Sequence, residues 1–68
     1  MFKINLFKAK LALNKKTIKD VAEAIGVSEA TLYRKIGGKS DFTRNEIQLM
    51  RKYLNLSAMD IEEIFFAD

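Results

Sequence analysis

Apolar residues recur along this chain at helical spacing, in five short runs separated by polar caps and three glycines. Ile4, Phe7 and Leu11 form one line on a first helix predicted from about Ile4 or Asn5 to Leu13 or Asn14, and Phe2, Leu6, Ala9 and Leu13 form a second. Both sides of that helix then need cover, from the core and from the C-terminal helix. A side left uncovered in one molecule is expected to be a dimer surface. Thr17 caps a second helix in which Val21 and Ile25 share a face around the small Ala22. Gly26 supplies the positive φ of a sharp exit. Ser28 starts a third helix, with Val27 and Leu32 at the spacing of a hydrophobic staple.

The pattern then repeats. Gly37 to Asp41 reads as a loop, and Thr43 with Glu46 has capping-box spacing, with Phe42 and Ile47 as its staple. A fourth helix carries Ile47, Met50 and Leu54 on one side and is expected to end near Asn55. Leu56, Ser57, Asp60 and Ile61 repeat the cap and staple, so a last short helix would hold Ile61, Ile64 and Phe65. The expectation is an all-α, compact, five-helix domain over residues 1–68, in which helices 2 and 3 form a helix-turn-helix. Such a pair can place its second helix in the DNA major groove.

Composition narrows the chemistry. With 68 residues the chain sits near the lower size limit for a core without disulfides or metals. It has no Cys and no His, which removes disulfides, zinc fingers, thiol nucleophiles and imidazole bases. No acidic cluster has metal spacing, no nucleophile is paired with a base, and no glycine loop opens a helix to cradle phosphate. The expectation is therefore a non-enzyme with no cofactor and no metal. No apolar run approaches the ~18 residues of a membrane span, and no signal-peptide pattern opens the chain. A soluble, cytoplasmic protein without membrane contact is expected, in a bacterial cell or a phage-infected host.

The formal net charge of +3 hides an asymmetry. Residues 1–44 hold ten basic and four acidic residues, whereas residues 45–68 hold two basic and five acidic. The basic half contains the helix pair, as a polyanion-binding face requires. The lysines at 3, 8, 10, 15 and 16 have a second reading as a solvated helix face.

Thr17, Ala22, Gly26-Val27-Ser28, Thr31-Leu32 and Lys35 to Ser40 resemble the Cro and C1-type (XRE-like) helix-turn-helix family, in particular short Cro-like and repressor-like proteins of phages and prophages. The resemblance spans nearly the whole chain. It implies a lambda-repressor-like fold and a transcription regulator that binds double-stranded operator DNA. Two positions depart from the pattern. Ile18 stands where many members carry a phosphate-clamping Gln, and Lys35 stands where many carry a core Leu, with Ile36 taking the packing role.

On the third helix, Leu32 and Ile36 mark the buried side, so Glu29, Ala30, Tyr33 and Arg34 are the candidates for base contacts. The Arg34 fork matches O6 and N7 of guanine, although phosphate is its other natural partner. Glu29 can accept from a cytosine amino group or simply favour the helix start. Ala30 can meet a thymine methyl. Tyr33 is either a groove residue or partly buried. Backbone contacts are expected from Thr17 and Ser28, which also cap helices, and from Lys19, Lys39 and Ser40, with Lys15 and Lys16 extending the contact. A homodimer on a two-fold operator would place half-sites about 34 Å apart. The acidic, apolar end carries Met59, Phe65 and Phe66, either as core and neighbouring cover or as a surface for a second copy or a partner regulator. That end motivates a second reading, in which the chain is a small interaction module that binds a partner regulator, antirepressor- or antitoxin-like.

Overall fold

The computed structural model describes residues 1–67. It contains α1 (Ile4–Leu13), α2 (Ile18–Ile25), α3 (Glu29–Ile36), α4 (Arg44–Tyr53) and α5 (Ala58–Ile61), with no strand among the described residues. α5 runs on as a π-helical turn, Glu62–Phe66, which the periodicity had not indicated. The Ala67 N–H donates to the Glu62 carbonyl at 2.8 Å, the five-residue reach that defines such a turn.

The starts of α2 to α5 each follow from a side chain that satisfies a free N–H of the first turn, whereas α1 begins at Lys3 without such a cap. The Asp20 N–H donates to Thr17 Oγ1 while the Thr17 N–H donates to Asp20 Oδ2. Thr43 with Glu46 and Ser57 with Asp60 repeat this reciprocal box. Ser28 caps α3 one-sidedly, accepting from the Thr31 N–H. The ends of α1 to α4 are equally uniform. In each, two N–H groups past the helix return to carbonyls of its last turn, in the paired pattern of a Schellman motif. The left-handed residue that allows it is Lys15, Gly26, Gly38 and Asn55 in turn, with φ of 56, 79, 84 and 54°. Gly26 and Asn55 match expectation, but Lys15 takes on a backbone conformation unfavourable to a residue with a Cβ.

Phe7, Leu11, Val21, Ala22, Ile25, Leu32, Met50, Leu54, Leu56 and Ile64 form the buried core. α2 packs against both α3 and α4, and α1 packs against the π-helical turn. The Lys3 N–H reaches the Ile64 carbonyl at 2.8 Å, so a donor at the start of α1 meets an acceptor at the end of the chain's last helix. Asn14 holds α1 to α4, its Nδ2 donating to the carbonyls of Lys10 and Leu54.

Two expectations for α1 and the last helix need correction. Phe2 does not continue the line of Leu6, Ala9 and Leu13, because the helix starts only at Ile4. Phe2 instead turns into an aromatic cluster with Phe7, Phe42 and Phe65, ring centroids 5.1 to 5.5 Å apart. Phe65 is half-buried in that cluster, its ring centroid 5.1 Å from that of Phe2 and 5.3 Å from that of Phe42. Leu6, Ala9 and Leu13 stay exposed: no element among the described residues covers those side chains of α1.

Candidate nucleic-acid interface

α3 owes its position to a single fully buried side chain, Leu32, flanked by the half-buried Ile36 and Thr31. A helix anchored along 32 and 36 must turn 29, 30, 33 and 34 elsewhere. Glu29, Ala30, Tyr33 and Arg34 are all exposed. Tyr33 is 52% exposed, so of its two readings the partly buried one is set aside.

Thr31 is a member of this surface that sequence patterning did not single out. Its Oγ1 accepts from Ser28 Oγ at 3.0 Å and from Arg34 Nη2 at 3.1 Å, while its N–H donates to Ser28 Oγ. The cap of α3 and the guanidinium one turn later are thus joined through one hydroxyl. The signal was the spacing 28, 31, 34, three residues per step, which stacks side chains along one stripe of a helix.

Lys35 does not replace the core Leu of many similar sequences with an open position. Its side chain is 9% exposed, and its ammonium lies 3.1 Å from Glu46 Oε1, donates to the Asp41 carbonyl at 2.8 Å and sits 6.0 Å above the Phe42 ring centre. The aliphatic stem packs while the head is fully partnered. Burial would raise the Glu46 pKa, but the hydrogen bonds from the Thr43 N–H and Lys35 outweigh it and hold the carboxyl below its ordinary range.

The cations called on for phosphate contact divide. Lys15, Lys19 and Lys39 are exposed, as are Thr17, Ser28 and Ser40. Lys16 is not free in the same way: it is half-buried, with its Nζ 4.9 Å from the centre of the Tyr53 ring. Lys10, on the far side of α1, pairs with Asp60 at 3.2 Å. Among the described residues no group of His, Cys, Asp and Glu is arranged to hold a metal ion. Nor is any helix among them long and apolar enough to cross a membrane.

Two helices joined at a left-handed glycine, the second pinned by one apolar side and bare on the other, define a helix-turn-helix. The family model for the Cro/C1-type helix-turn-helix DNA-binding domain matches residues 7–66, and the chain belongs to that family. No curated protein and no solved structure gives a match. The match makes this a DNA-binding domain of the kind used in transcription regulation, in a family that is typically non-enzymatic.

Proposed function

We propose that the protein is a sequence-specific regulator of the Cro-like repressor kind, of phage or prophage type, that reads operator DNA in the major groove with α3. The observation that carries this reading is the bare outer face of α3 beside its Ser28 cap. Glu29, Ala30, Tyr33 and Arg34 face base edges, and Arg34, held by the Thr31 hydroxyl through one N–H of Nη2, takes O6 and N7 of a guanine with its remaining N–H groups. Thr17, Lys19, Ser28, Lys39 and Ser40 hold phosphates on either side, with Lys15 at the rim.

A palindromic operator calls for two copies with recognition helices ~34 Å apart. One molecule measures 26 × 26 × 21 Å, so two side by side fit that spacing if their α3 helices lie outward from the contact.

Selection of bound sequences from a random duplex pool tests the proposal. The expected result is one enriched site, written twice in opposite orientation. A pool that returns no preference, with affinity equal to random duplex at the same salt, removes the specific-reader reading.

A further inference from the structure

The segment between α3 and α4 carries Lys39 and Ser40 and has little beneath it. Gly37, Gly38 and Ser40 line one wall of a groove of about 900 Å³ whose other walls include Ile4, Ile47 and Phe66. A Cβ built on Gly38 would meet nothing within 4 Å. Packing therefore does not hold this stretch, and its two adjacent glycines are the residues that lose most freedom when ordered.

Hydrogen bonds to the last turn of α3 hold it instead. The Gly38 and Lys39 N–H groups donate to the carbonyls of Lys35 and Arg34 at 3.1 and 3.0 Å. These bonds close the helix and stop short of Ser40. The next is made by a side chain: Lys35 Nζ donates to the Asp41 carbonyl at 2.8 Å. Lys39 and Ser40 are thus bracketed, tied at 39 and 41 to residues 34 and 35. The Leu that many similar sequences carry at position 35 has no side-chain N–H to give. Lys35 itself is withdrawn from DNA, since its side chain is 9% exposed and its charge is met by Glu46 Oε1 at 3.1 Å.

We infer that Lys35 is a positioning residue for DNA binding: it latches the loop to the recognition helix, so that Lys39 and Ser40 are set at the phosphate as α3 enters the groove. The inference rests on the reading that Lys39 meets phosphate. Its gain is entropic, because a loop fixed before binding does not have to be ordered during it. Phosphate contacts carry no sequence information, so the latch strengthens binding to every duplex alike.

The test variant is Lys35→Met/Glu46→Gln. It removes the latch and the ion pair together, leaves no buried charge unpaired, and keeps an acceptor at 46 for the Thr43 N–H. Lys35→Leu/Glu46→Gln takes its place if that chain does not fold by circular dichroism. Backbone amide relaxation of the free protein is expected to show residues 38–41 mobile on the nanosecond scale in the variant and ordered in the natural chain, with α3 unchanged. Affinity is expected to fall about three- to tenfold, for a selected operator and for random duplex alike. A defect in α3 would instead lower discrimination between the two. Lys39→Ala, which weakens the natural chain, is expected to cost a factor at least about twofold smaller in the unlatched background. Identical loop relaxation in the two chains, a loss confined to the selected operator, or an equal Lys39→Ala factor in both backgrounds overturns the inference alone. Lys39→Ala without effect on the natural chain overturns the phosphate reading, and the inference with it.

Discussion

Lys35 Nζ lies 3.1 Å from Glu46 Oε1, and the same Glu46 oxygen accepts the Thr43 N–H that opens α4. One carboxylate therefore starts α4 and fastens the recognition helix to it. The two side chains are only 9 and 12% exposed, so water screens their attraction weakly. Glu46→Gln leaves the Lys35 ammonium largely buried without its counter-charge and is expected to cost about 1 to 3 kcal/mol in urea unfolding, below the range for a fully buried pair. Lys35→Met on the same background should recover much of that loss, since the charge is gone and the stem volume is kept. A double-mutant cycle with no coupling would show that the contact is packing alone.

Acid should loosen the helix starts together. Asp20 is held below its ordinary 3.8 first by the backbone hydrogen bond from Thr17, and Asp60 by that from Ser57 and then by Lys10. Glu46 is also lowered, its bonds to Thr43 and Lys35 outweighing burial. A carboxyl whose folded pKa is depressed favours folding above its unfolded value, and that contribution drains away as pH falls through the folded one. Stability is thus expected to be level near neutrality and to decline below about pH 4.5. Asp20→Asn, Glu46→Gln and Asp60→Asn combined should flatten that decline. An unchanged acid slope in the triple variant would trace it to other carboxyls.

Lys15 offers a way to separate folding from binding. With φ of 56° it holds a left-handed conformation that the Schellman end of α1 requires, and the bonds from Lys15 and Lys16 N–H to the Ala12 and Leu11 carbonyls depend on it. Lys15→Gly should stabilise the fold by about 0.5 to 1 kcal/mol. If Lys15 touches phosphate, the same change weakens DNA binding at low salt and lowers the salt slope by about one. Stability and affinity then move in opposite directions, measured by thermal melting and by titration at several salt concentrations.

What the chain discloses locally and what it hides follow from sequence separation. Thr17, Ser28, Thr43 and Ser57 announce helix starts because each cap closes within three residues, and Gly26 and Asn55 announce ends for the same reason. The partner of Lys35 is eleven residues away on another helix, so the spacing assigned the packing role to Ile36 alone and did not disclose that Lys35 is itself packed in a largely buried ion pair. Phe2 and Phe65 meet from opposite ends of the chain, which no periodicity reports. The bare side of α3 was legible, since Leu32 alone orients it. Thr31 was not, because a hydroxyl that links a cap to a guanidinium looks in sequence like any other Thr.

Thr31 yields the last prediction. Its Oγ1 accepts the Arg34 Nη2 at 3.1 Å, so the guanidinium is held along the helix before DNA arrives. Rigid presentation lowers the side-chain entropy lost on binding, which runs to about 0.5 to 1.5 kcal/mol for a long, freely rotating side chain. Thr31→Val keeps the shape and removes the acceptor. Its N–H, and hence the bond to Ser28 Oγ, survives, so the cap of α3 is retained. Affinity for the selected operator is expected to fall by a few-fold, and discrimination at one base position with it. Arg34→Ala should cost about 1 to 3 kcal/mol at that same position. Combining the two substitutions should cost no more than Arg34→Ala alone, because Thr31 acts through the arginine. Additive losses would mean that Thr31 contacts DNA in its own right. Lys39→Ala, by contrast, should weaken all sequences alike and lower the salt slope by about one.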